Sequence, residues 1–245
     1  MKHCLILAGI CLVVLVSAQG VTGEHILAKI DENIGSDSKI TVGEMIVKGR
    51  RGTRTIKSKT WIQGMERSFT EYLAPAREKG TKMLKLQEQL WTYTTSTDRT
   101  IKISGHMLWQ SVMGSDLSYE DLMEDTKLSK VYWAQVTDEA IIRERPCWIL
   151  LLEAKASDIA YYKRQVWVDK ERYVILRENR YAKSGKLLKT TDVLTVDNIK
   201  GRWVASTVLF KDVLRSGEGT EFVLESIEFN ADIPEYIFSK AALKK

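Results

Sequence analysis

Cysteine is nearly missing from this 245-residue chain, which holds only Cys4, Cys11 and Cys147. Two of the three fall in an apolar run from Cys4 to Val16 that follows Lys2 and His3 and ends in the small residues Ser17 and Ala18. That is the layout of a cleaved secretory signal peptide, so the expected organisation is a signal peptide at 1–18 and a single mature domain at 19–245. The run is too short for a membrane span, which takes about 20 apolar residues. Cys11 follows Ile10, not the small residue that lipidation requires. The mature protein is therefore expected to be exported, soluble and not itself lipidated. Loss of the signal leaves Cys147 alone and excludes an intramolecular disulfide. An exported domain without disulfides points to a bacterial periplasm.

Proline is as sparse, with three in the chain, and no Gly/Ser linker or low-complexity stretch divides the sequence. One domain is expected. The mature chain has two histidines, His25 and His106, neither with a second His or Cys at metal-ligand spacing. No metal and no cofactor are expected. A glycine-rich phosphate loop is missing too. Ser115 or Ser118 with His106 and Asp116 would make a Ser-His-Asp set on paper, but no strand–Gly-x-Ser-x-Gly–helix context surrounds them, and no enzyme is expected. The formal charge of +5 is spread along the chain. Its tightest basic cluster (Lys48, Arg50, Arg51, Arg54, Lys57, Lys59) straddles a glycine turn and reads as a solvated hairpin face rather than a nucleic-acid site.

What the chain does have is strand pattern. Residues 24–34 place Ile26, Leu27, Ile30 and Ile34 at helical spacing, ending at Gly35. Strand candidates follow at 39–48, 53–63, 66–73, 81–86, 89–95 and 99–104, and again at 128–136, 146–154, 160–169, 172–182, 186–197, 202–214 and 220–230. The loops between them are short enough for hairpins, which predicts antiparallel neighbours in a meander. Parity puts Val223, Ile227 and Phe229 on one face of the last strand and Thr220, Ser226 and Glu228 on the other. A sheet of this size curls, because twist accumulates from strand to strand. Its concave apolar face needs a cover, and the candidates are the helix at 24–34, the insert near 105–123 and a tail helix near 234–243.

The insert is distinctive. Gly114 and Ser115 break the preceding pattern, and Ser118 with Asp121 has capping-box spacing. Trp109, Met113, Leu117, Leu122 and Met123 give it a soft apolar side, which suits either a plain connector packed on the core or a lid. Strand parity nominates Phe69, Leu84, Leu86, Trp91, Tyr93, Val166 and Val168 as residues facing a cavity.

Several blocks, taken in order, carry a resemblance. They are 59–62 with Arg67 to Tyr72, then Pro75 to Leu84 leading to Leu90–Tyr93, then Met113 to Leu122, and finally Ile233 to Leu243. Together they resemble the outer membrane lipoprotein-sorting proteins of LolA/LolB-like fold. The resemblance implies a mainly β (α+β) architecture: a large curled antiparallel sheet forming an unclosed β-barrel, with helices over its concave face. It also implies a monomeric periplasmic carrier for acyl chains of lipoproteins or other lipids, taking cargo from an inner-membrane transporter to an outer-membrane acceptor. The alternative is an accessory binding module of an RND-type exporter or envelope complex. In the known carriers an arginine on an early strand holds the lid shut, a part open here to Arg54 or Arg67.

Overall fold

The structure, a computed structural model, describes residues 21–49, 52–124 and 127–244. The expected signal peptide at 1–18, and Arg50 and Arg51 of the basic cluster, lie outside the described residues. A helix, α1 (Gly23–Ile34), opens the domain; Thr22 caps it by accepting the His25 N–H at 3.2 Å. The first series of strands is β1 (Ser38–Gly49), β2 (Gly52–Gln63), β3 (Arg67–Ala74), β4 (Lys82–Leu86), β5 (Gln89–Thr94) and β6 (Arg99–Ile103). The second is β7 (Tyr132–Ile142), β8 (Arg145–Ala154), β9 (Lys163–Asp169), β10 (Ile175–Tyr181), β11 (Leu187–Ile199), β12 (Arg202–Asp212) and β13 (Thr220–Phe229). Between the series, 3-10 turns at Gly105–Trp109 and Val112–Gly114 lead into α2 (Tyr119–Met123) and α3 (Leu128–Val131). Two 3-10 turns, Glu235–Phe238 and Lys240–Lys244, stand where one tail helix was expected.

All strands join one 13-stranded antiparallel sheet in the order β6-β5-β4-β3-β2-β1-β13-β12-β11-β10-β9-β8-β7. Every ladder but one links consecutive strands; the exception joins β1 to β13. The free edges are β6 and β7, so the sheet is not closed by hydrogen bonds, and the insert is the chain that runs from one edge to the other. Strand β7 starts later than the expected 128 because the Asp31 carboxylate of α1 accepts the N–H groups of Leu128 (2.9 Å) and Ser129 (3.0 Å), which fixes the turn of α3 instead.

Residues paired across an antiparallel ladder share a face, so the two faces can be followed from strand to strand. One row runs Leu150, Val166, Glu178, Thr191, Phe210, Thr220, Val47 and Arg54. This face, hereafter the inner face, carries α1 and the insert. Ile26, Leu27 and Ile30 of α1 are almost fully buried against Leu150, Leu152, Val166 and Val168. Gly23 allows the close approach: a Cβ there would lie 2.4 Å from the Ala134 carbonyl oxygen of β7. The other face of β3–β5 holds Phe69, Leu84 and Trp91, packed beneath Phe238, Ala242 and Leu243 of the tail.

In β13 the expected parity fails midway. Val42 pairs with Ser226 but Gly43 with Leu224, so Glu225 bulges and the alternation reverses. Phe222, Leu224, Ile227 and Phe229 consequently share the inner face with Thr220, and Val223 turns away from it.

Candidate functional site

On the inner face Met45, Val47, Ile56, Tyr72, Met83, Leu90 and Ile103, from β1 to β6, form a buried apolar bed closed by Val112 of the insert. Met107, Leu108, Met113, Leu117, Tyr119, Leu122 and Met123 pack on it. Four of the five nominated lid residues thus lie on the bed, while Trp109 is 57% exposed and is not packed on it.

The insert takes its shape from local bonds. Met113 (φ 51°) and Gly114 (φ 74°) are both left-handed and reverse the chain. Ser111 then bridges to Ser118, and the Val112 N–H donates to the Leu117 carbonyl oxygen at 2.8 Å. At α2 both halves of the capping box form: the Asp121 N–H donates to Ser118 Oγ (3.3 Å), and the Ser118 N–H to Asp121 Oδ2 (2.6 Å).

Cations from the sheet hold this loop by its backbone. Arg54 Nη2 on β2 donates to Met113 O (2.7 Å), Arg215 after β12 donates to Gly114 O (3.1 Å) and Ser115 O, and Lys189 Nζ on β11 donates to Asp116 O (3.0 Å). Four successive carbonyls are taken in this way. The Asp116 carboxylate accepts the Thr220 hydroxyl (2.9 Å) and the Asp212 N–H (3.0 Å). Arg67, the other arginine open to the lid role, lies on the opposite face and pairs with Glu235 of the tail.

A buried ionic network fastens α2 to β9–β11. Arg164 donates to Glu178 (2.9 Å), Glu124 (2.6 Å) and the Tyr132 hydroxyl (2.9 Å). Arg180 reaches Glu178 (3.0 Å), Asp121 (3.1 Å) and Glu124 (3.2 Å), and Lys189 pairs with Asp121. Three cations meet three carboxylates, so the burial of charge is balanced pair by pair. Burial pushes Asp121 and Glu178 upward, yet Lys189 with Arg180, and Arg180 with Arg164, outweigh it and hold both below the usual carboxylate range. At Glu124 burial wins over the same arginines and raises the carboxyl.

Between the free edges lies an open cavity of about 950 Å³. Lys85, Glu88 and Lys102 form one wall, and Glu120, Met123, Ile159 and Arg164 the other. Lys85, 4% exposed, donates to Met123 O at 3.1 Å, so the end of α2 is held from this side as well.

The residues nominated for the cavity separate into two groups. Val166 and Val168 lie on the inner face under α1. Phe69, Leu84, Leu86, Trp91 and Tyr93 lie on the opposite face with the tail. Parity fixes alternation along a strand but leaves open which face turns inward. The bed residues were not singled out from the sequence; Met45 and Met83, facing the methionines of the insert, were the available signal. As for the paper triad, Ser115 Oγ bonds within its own loop, Ser118 caps α2 and Asp116 is engaged by Thr220. Among the described residues, exposed His106 has no hydrogen bond to any of them.

Comparisons with known proteins agree with this architecture. A family model described as "Uncharacterized protein" matches residues 64–245. The comparison with curated proteins finds no match. Among solved structures, a DUF1329 family protein from Desulfovibrio piger superposes with a TM-score of 0.82 at 22% identity, covering 90% of this chain and 97% of that one. A domain from Vibrio parahaemolyticus described as an outer membrane lipoprotein-sorting protein gives 0.80 at 24% identity, covering 91% and 98%. A LolA superfamily protein from Nitrosomonas europaea gives 0.75 at 24% identity, covering 91% and 99%.

Proposed function

From the premise that the chain belongs to the family whose model matches residues 64–245 and has a LolA-like fold, we propose that it is a non-enzymatic periplasmic carrier of lipoprotein or lipid acyl chains. The observation that carries this reading is the insert. It joins the two free edges of an unclosed sheet and covers an apolar bed. At its tip it is held by side-chain bonds to carbonyl oxygens rather than by a strand ladder. Such a cover is able to lift without breaking the sheet.

Acyl chains would replace the insert's methionines and leucines on the bed. Each CH₂ taken out of water contributes about 0.8 kcal/mol, so a chain of ordinary lipid length is retained until an apolar acceptor is offered. Delivery to an outer-membrane acceptor, after loading at an inner-membrane transporter, follows as the partner assignment. No covalent step is needed for this work.

The test is to purify the protein from its own periplasm and identify bound lipid by mass spectrometry, then titrate the delipidated protein with a fluorescent acyl probe. Bound acylated species, and probe binding abolished by Ile56→Glu on the bed, are expected. A lipid-free protein that also ignores the probe would overturn the reading.

A further inference from the structure

The sheet contains a second opening, unrelated to the insert. Strands β12 and β13 pair only where Thr207–Phe210 meets Thr220–Val223, although β12 begins at Arg202 and β13 continues to Phe229. Over 202–206 and 224–229 the two strands part, and each keeps only its outer neighbour. The split holds a cavity of about 270 Å³ beneath the end of α1, walled by Ile30, Val174, Trp203, Ala205, Ile227 and Phe229. None of the cavity's lining residues belongs to the insert.

Its charge is one-sided. Among the described residues that line it, Lys39 is charged and none is acidic. Two guanidinium groups stand over the aromatic walls: Arg172 lies 4.4 Å from the Trp203 ring centre and Arg202 5.0 Å from that of Phe229. The nearest carboxylate to Arg172, Asp169 at 4.0 Å from Nε, has its oxygens engaged by Arg145 and by the N–H groups of Glu171 and Arg172. Arg172 Nε is buried without a hydrogen-bond partner, as is Ser206 Oγ beside the last paired residue of β12. The site is thus an apolar slot with Lys39 on its lining; Arg172 and Arg202 stand outside that lining, stacked on two of its aromatic walls, and Arg202 also donates to the Gly35 carbonyl oxygen. The volume is below that of common drug-sized pockets, about 300–1,000 Å³, which suits one chain rather than two.

We propose that the β12–β13 split binds a single fatty acid, its chain in the slot and its carboxylate at Arg172 and Arg202. Binding there is independent of the insert and differs from the carrier reading in requiring an anionic head. A guanidinium–carboxylate contact supplies the selectivity, since a charge-assisted hydrogen bond is roughly twice as strong as one to a neutral head.

Calorimetric titration of the delipidated full-length Ile56→Glu protein, in which the bed no longer takes acyl chains, with dodecanoate and with dodecanol tests this. Dodecanoate is expected to bind one to one. The double variant Arg172→Gln, Arg202→Gln is expected to weaken it about tenfold while leaving dodecanol unchanged. Ala205→Phe, which fills the slot, should abolish binding, with Ile227→Trp as the second filling variant should the first melt early. Ile56→Glu, which removes the bed used by the carrier reading, should leave dodecanoate binding intact. Equal affinity for acid and alcohol, binding that survives both filling variants, or loss of binding with Ile56→Glu alone would overturn the proposal.

Discussion

Arg54 on β2 and Met113 at the tip of the insert are joined by a 2.7 Å hydrogen bond from the guanidinium to the backbone carbonyl, across 59 residues of sequence. The acceptor belongs to a left-handed residue, and a Cβ on the following Gly114 would lie 2.9 Å from the same guanidinium nitrogen. The tip and the arginine thus fit in one arrangement. Replacing Arg54 by Met should cost only about 1 kcal/mol of global stability. It should nonetheless speed amide hydrogen exchange at 113–116 and raise the association rate of an acyl probe. Unchanged exchange at the tip would show that Arg215 and Lys189 suffice to hold it.

The buried carboxylates should differ in their response to pH. Glu178 is drawn below its ordinary value of 4.5 by Arg180 and Arg164 despite burial. Such a group contributes stability that is complete above the ordinary value and is lost as the pH falls through the lower folded value. Glu124 is raised above 4.5 by burial, so its ionisation weakens the fold as the pH rises through that upper window. Near neutral pH, Glu178→Gln should therefore cost about 3 kcal/mol, whereas Glu124→Gln should be neutral or stabilising. Urea melts should show the Glu124 variant meeting the parent as the pH falls through the ordinary carboxylate range, and the Glu178 variant only once the pH passes the lowered folded value.

The tail should behave as a cover for the outer face of β3–β5. Leu243 is fully buried there, and Leu243→Ala should cost about 3 kcal/mol. Removing residues 234–245 uncovers Phe69, Leu84 and Trp91 together, and sedimentation should then show more self-association than for the full chain.

At the other end of the domain, Gly23→Ala sets a methyl against the Ala134 carbonyl oxygen. Helix α1 must then lift from β7, at a cost of about 2 kcal/mol. Faster exchange confined to α1 and α3, which the Asp31 caps couple, is the expected signature.

Much of this architecture was legible in the sequence, because hairpin turns and alternation are local properties. The strands, the leading helix at Ile26, Leu27 and Ile30, and the Ser118–Asp121 capping box all follow from residues within a few positions of one another. Identity of the inner face did not follow. It depends on the β1–β13 pairing and on the path of the insert, both of which join residues far apart in the chain. The bulge at Glu225 was enough to put Ile227 and Phe229 on the face of Thr220, which parity had set opposite them, and to turn Val223 away from them. The ionic network was invisible for the same reason: Asp121, Arg164, Glu178 and Lys189 look like ordinary surface charges until the register places them side by side.

The β1–β13 ladder gives the molecule a mechanical division of labour. Both halves of the sheet are stitched together through the first and last strands, so the continuity of the sheet does not depend on the peptide that crosses between β6 and β7. A chain nicked once between Gly105 and Met123 should stay a single particle with its sheet intact, as would a circular permutant opened at the same place. The covering segment is thereby able to change in length or sequence while the frame beneath it keeps its shape, its own hold on the sheet resting on side-chain bonds.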